Sequence, residues 1–68
     1  MPNITVELLA GRTRAQRAEF ARVVTEAVVD VLGAPRHLVR IRFTELAHDQ
    51  LALGGELTEP PAPRADSV

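Results

Sequence analysis

Residues 13–35, Thr-Arg-Ala-Gln-Arg-Ala-Glu-Phe-Ala-Arg-Val-Val-Thr-Glu-Ala-Val-Val-Asp-Val-Leu-Gly-Ala-Pro, decide the fold. Thr13 is a natural N-cap and Gln16 stands three positions later, the spacing of a capping box. Phe20, Val23, Val24, Ala27, Val28 and Val31 then recur every three or four residues. That spacing predicts one apolar helical stripe facing a sheet. Arg14, Arg17, Glu19, Arg22, Glu26 and Asp30 fall mostly on the other side, where Arg22 and Glu26 can pair. Gly33 supplies a left-handed C-cap and Pro35 prevents continuation. The helix is expected to run for about nineteen residues, long enough for a crossover between parallel strands.

Both flanks alternate with a period of two. Upstream, Ile4, Val6 and Leu8 share one face and Asn3, Thr5 and Glu7 the other, which predicts a strand over 3–9. Ala10-Gly11-Arg12 ends it. Downstream, residues 38–46 alternate again: Val39, Ile41 and Phe43 oppose Arg40, Arg42 and Thr44. Strand, helix and strand make a βαβ unit of the α/β (α+β) class, with parallel strands. Beyond it, a break at Ala47-His48-Asp49-Gln50 precedes Leu51-Ala52-Leu53 and the turn residues Gly54-Gly55. This piece is either a small hairpin or an arm. Residues 1–57 are read as the domain and 58–68, with prolines at 60, 61 and 63, as an extended or disordered tail.

Sixty-eight residues allow a single small domain. In chains this short, the gain from apolar burial and the entropic cost of ordering nearly cancel. Disulfides, a metal or oligomerisation usually supply the difference. There is no cysteine, and two histidines do not make a metal motif. Oligomerisation is therefore the expected stabiliser. A net charge of −1, with two Phe and no Trp or Tyr, argues against a nucleic-acid surface. No apolar run reaches membrane-spanning length, and the N-terminus lacks a signal-peptide pattern. A cytoplasmic location is expected.

Two features carry potential chemistry. Removal of Met1 before a small second residue would leave Pro2 with a free secondary amine. The ordinary α-amino pKa is about 7.7–8.0, and a low dielectric or nearby cations lower it toward an unprotonated base at neutral pH. The second feature is arginine. Arg12 follows the first strand, while Arg40 and Arg42 project from one strand face about 7 Å apart. Such a pair needs compensation by Glu7, Glu45 or an anionic ligand, and arginine grips carboxylates bidentately. His37 and His48 read as surface residues, and Gly54-Gly55 as a turn.

In this order and chain length, these pieces resemble the 4-oxalocrotonate tautomerase family. The carrying residues are Met1-Pro2, Leu9-Ala10-Gly11-Arg12, the helix ending before Ala34-Pro35, Val39-Arg40-Ile41, Thr44-Glu45-Leu46 and Leu53-Gly54-Gly55-Glu56. The resemblance implies a βαβ protomer with a short C-terminal hairpin, dimerising into a four-stranded sheet, and commonly a hexamer built from three dimers. It implies a cofactor-independent keto–enol tautomerase of 2-oxo or 2-hydroxydienoic acids, with no metal. By the same resemblance Pro2 is the general base and Arg12 binds a substrate carboxylate. Arg40, from a neighbouring subunit, faces the 2-oxygen, and Leu9 contributes backbone near the site. Leu51 stands where the family usually has an aromatic wall, and Arg42 where it usually has an aliphatic residue. Two alternatives stay open. One is a hydratase-like dehalogenase using Glu7 or Glu45 to activate water; the other is a non-catalytic subunit of the same fold.

Overall fold

The structure, a computed structural model, describes residues 2–59. Met1, whose removal is expected, and residues 60–68, most of the expected tail, lie outside the described residues. Strand β1 spans Asn3–Leu9 and helix α1 spans Arg14–Ala27, running on through a π-helical turn at Val28–Leu32. A 3-10 turn at Arg36–Leu38 leads into β2, Arg40–Leu46. A second 3-10 turn, His48–Gln50, precedes β3, Ala52–Leu53, and β4, Glu56–Leu57.

Strands β1 and β2 pair in parallel, from Asn3↔Arg40 through Leu9↔Leu46. The crossover therefore forms as expected, and so do its ends. Thr13 Oγ1 accepts from the Gln16 amide at 3.1 Å, and Gln16 Oε1 accepts from the Thr13 amide at 2.9 Å. Gly33 adopts φ 70° and donates its amide to the Val29 carbonyl. An L-side chain is strained in that conformation, so a glycine closes the helix.

Strand β2 starts two residues later than expected. The Leu38 amide donates to Pro35 and the Val39 amide to Arg36, so both are committed to the turn after Pro35. The segment left open as hairpin or arm is a hairpin, with Leu53 opposite Glu56. Gly54 and Gly55, at φ 61° and 87°, supply the two left-handed residues of its tight turn.

The helical stripe is only partly covered. Val28 is buried, and Val24 is half-buried. Phe20 touches Phe43 edge-on at 6.2 Å yet remains 45% exposed, and Val31 is 79% exposed. The expectation that the whole stripe faces the sheet is corrected here. Two strands at about 4.8 Å spacing make a sheet no wider than one helix, which cannot cover an apolar stripe more than ~100° wide. Arg17 also departs from its expected place on the outer face: it reaches Glu45 of β2 at 3.1 Å. Arg22 pairs with Glu19 rather than with Glu26, which Arg36 takes instead.

Candidate functional site

The sheet has two chemically different ends. At the N-terminal end of β1, the Arg40 amide donates to the Pro2 carbonyl at 3.1 Å, the hydrogen bond that opens the β1–β2 ladder at Asn3↔Arg40. Pro2 is half-buried there. The Arg40 and Arg42 side chains leave β2 on the sheet face away from α1, because strand residues alternate and Ile41 and Phe43 occupy the helix side. With Asn3, Ile4 and Thr5 they line a shallow pocket of ≈ 160 Å³.

Neither expected carboxylate compensates that pair. Glu45 is held by Arg17, which comes from α1 and so marks Glu45 as lying on the helix side of β2. Glu7 shares the outer face but stands opposite Thr44 in register. Among the described residues the ion pairs are Arg17–Glu45, Arg22–Glu19 and Arg36–Glu26. Arg12, Arg40 and Arg42 therefore have no carboxylate partner among the described residues. The Arg22 pair is fully exposed. Its hydrogen bond and the guanidinium charge hold the Glu19 carboxyl below its ordinary value, and Glu19 in turn raises Arg22.

Arg12 belongs to the opposite end. The seven residues of β1 span about 20 Å at roughly 3.3 Å per residue, and this length separates Arg12 from Pro2. Arg12 lines an open pocket of ≈ 210 Å³ whose walls are Val6, Leu8, Phe20 and Phe43 and whose polar rim is Arg12, Gln16 and Arg17. Leu9 lies at this end too, opposite Leu46, whose carbonyl accepts from the Ala10 amide. Leu51 follows the next 3-10 turn, half-buried, with its carbonyl accepting from the Thr58 amide. Within one protomer, then, Pro2 and Arg40 are neighbours, and Arg12 and Leu9 are neighbours, but the two groups are far apart.

His37 is exposed, as expected. His48 differs from the expectation of a surface residue: it is half-buried, and its Nδ1 is buried without a hydrogen-bond partner among the described residues. Arg17 is the residue that sequence reasoning missed. Its position in the first turns of α1 gave no hint that its long side chain turns back over the strand ends. No helix among the described residues is long and apolar enough to cross a membrane.

Comparison with known proteins agrees with this architecture. A sequence profile described as "Tautomerase enzyme" matches residues 2–59. A 2-hydroxymuconate tautomerase of Pseudomonas putida is 39% identical over 57 residues, covering 84% of this chain and 90% of the relative. A solved structure of a 4-oxalocrotonate tautomerase isozyme from Methylibium petroleiphilum superposes with a TM-score of 0.79 at 36% identity. That match covers 82% of this chain and 88% of the other. A heterohexameric 4-oxalocrotonate tautomerase from Chloroflexus aurantiacus superposes with the same TM-score at 28% identity, over 84% of this chain and 92% of the other. The profile match, the identity shared with relatives over most of both chains, and the superposable βαβ unit together establish that the chain belongs to the 4-oxalocrotonate tautomerase family.

Proposed function

We propose that this tautomerase-family protein interconverts the enol or dienol and keto forms of 2-oxo acids without a cofactor, with Pro2 as general base. The observation that carries the reading is the half-buried Pro2 at the open end of β1, its carbonyl hydrogen-bonded to the Arg40 amide. With Met1 removed, the Pro2 nitrogen is a secondary amine at that end. It takes the 2-hydroxyl proton of a 2-hydroxydienoate and returns a proton to carbon. General base catalysis of this kind contributes about 10²–10⁴-fold. Arg40, contributed by a neighbouring subunit, faces the 2-oxygen, where negative charge grows, and stabilises it electrostatically. Arg12 grips the remote carboxylate as a fork of donors. Leu9 contributes backbone and Leu51 an apolar wall, which offers less area than an aromatic ring.

This division of labour requires more than one protomer. A small acid cannot span the roughly 20 Å of β1 between Pro2 and Arg12. Arg12 therefore acts on a substrate bound at another copy's Pro2. A homohexamer built as a trimer of dimers, acting in the cytoplasm, is part of the same proposal. It is supported by the exposed apolar residues of α1 and by the heterohexameric relative.

The test is intact mass combined with an assay on 2-hydroxymuconate and phenylenolpyruvate. Active protein is expected to begin at Pro2. A variant forced to retain Met1, which acylates the proline nitrogen, is expected to lose at least about 10²-fold in kcat. Full activity with Met1 retained overturns the role of Pro2, and inactivity of the processed wild type on both acids overturns the substrate class.

A further inference from the structure

We propose that Arg17, with Glu45, is a positioning residue that fixes the orientation of Arg12. The inference rests on the carboxylate-binding role proposed for Arg12. Arg17 Nη1 donates to the Arg12 carbonyl at 3.0 Å and to Glu45 Oε2 at 3.1 Å. One nitrogen with two hydrogens thus ties three elements together: the β1–α1 turn, the helix and the end of β2.

The bonded carbonyl belongs to the peptide unit between Arg12 and Thr13. The other end of that unit, the Thr13 amide, donates to Gln16 Oε1 at 2.9 Å. Two helix side chains therefore hold the same peptide plane from opposite edges. The restraint matters because of what precedes it. Gly11 has φ 127°, a conformation that only glycine adopts freely, and a Cβ there would meet nothing within 4 Å. The chain N-terminal to Arg12 is thus a permissive joint in open space. Without a clamp on the far side, the Arg12 guanidinium would sweep a wide arc instead of meeting a carboxylate in one bidentate geometry.

Charge assigns the two arginines different parts. Both line the rim of the same pocket. Arg17 is neutralised by Glu45, whereas Arg12 has no carboxylate partner among the described residues. Arg12 is the guanidinium left for an anionic ligand, and Arg17 is engaged in holding it. Beneath the rim, Phe20 and Phe43 meet edge to face and form part of the apolar wall of the pocket.

The experiment combines kinetics with amide exchange on the assembled, Met1-processed protein. Arg17→Met removes every donor at similar length. It is expected to raise KM for 2-hydroxymuconate about fivefold to twentyfold, with kcat changed by less than about threefold, because a misaimed Arg12 weakens binding without touching the base. With phenylenolpyruvate, which lacks the remote carboxylate, the same change is expected to alter KM less than about twofold. In an Arg12→Ala background the Arg17 effect is expected to vanish, which a purely structural role would not produce. Arg17→Lys keeps a charged donor and is expected to recover most of the loss. Glu45→Gln, a milder change, keeps the acceptor and guards against a misfolded Arg17→Met.

Hydrogen exchange at the Thr13 amide reads the clamp independently of activity. It is expected to speed up about tenfold or more in Arg17→Met, with the α1 core amides unchanged. Unchanged exchange at Thr13 overturns the clamp whatever the substrate. A KM effect that persists in the Arg12→Ala background overturns it as well, because Arg17 would then contact the substrate itself. Inactive wild type with accelerated Thr13 exchange in the variant would instead strike the substrate assignment and leave the clamp standing.

Discussion

Replacing Arg12, Arg40 and Arg42 one at a time by alanine separates their roles, because none has an ion-pair partner among the described residues. No buried carboxylate is orphaned by the changes, and all three side chains are exposed. In variants that keep the wild-type assembly, the kinetics should therefore read ligand interactions directly. Arg12 is assigned to a carboxylate remote from the reacting atoms, held equally in ground and transition states. A hydrogen bond to a charged group is worth about 1.5–3 kcal/mol, so Arg12→Ala is expected to raise KM for 2-hydroxymuconate roughly 10- to 150-fold with a smaller fall in kcat. Arg40 faces the developing enolate oxygen, and loss of one such donor costs about 10²–10³ in kcat, or roughly 2.7–4 kcal/mol. Its KM should rise less than kcat falls. Arg42 shares the outer face and the shallow pocket with Arg40, and Arg42→Ala is expected to change kcat/KM less than about tenfold, below roughly 1.4 kcal/mol. Steady-state assays on variants shown by sedimentation to keep the wild-type assembly decide the matter. If Arg42→Ala is as damaging as Arg40→Ala in intact oligomers, a single catalytic arginine on β2 is the wrong assignment, and the pair is one anion site.

Sedimentation through the micromolar range should find an oligomer and no stable folded monomer, since a protomer with Val31 79% and Leu32 68% exposed lacks a sealed core; a monomer of native-like stability contradicts this. Gly33→Ala should cost about 1 kcal/mol in a denaturant melt of the oligomer. That cost is purely conformational, because a Cβ at φ 70° meets no atom within 4 Å. The Glu19 carboxyl should titrate below 4.5 by carbon-detected NMR, and Arg22→Ala should return it toward that value. The sign follows: a depressed folded-state pKa gives stabilisation present above the unfolded value and lost as pH falls through the folded one. The pair is fully exposed, so 1 M salt should reduce the shift by screening its coulombic part.

Local physics made most of the protomer legible in the sequence. Alternation located β1 and most of β2, because a half-buried strand must present apolar residues every second position. Thr13, Gln16 and Gly33 marked the helix ends, because unsatisfied backbone groups there demand particular residues. Arg12 and the Arg40–Arg42 face were also readable, the first from its place after a strand and the second from strict period two. What escaped were choices between partners. Arg22 had Glu19 and Glu26 within reach on one helix, and only the placement of Arg36 after the Pro35 turn took Glu26 away. Leu38 and Val39 alternate like strand residues, yet their amides are spent in that turn. Arg17 looked like a solvated residue until the β2 end brought Glu45 beneath it. Pairing between elements distant in the chain is a non-local matter, whereas the separation of Pro2 from Arg12 follows from the length of β1 alone. The pattern of residues determines which groups exist and which face each takes; only the packed chain decides which of them can meet, because long side chains reach several partners and tertiary geometry leaves one within hydrogen-bond distance.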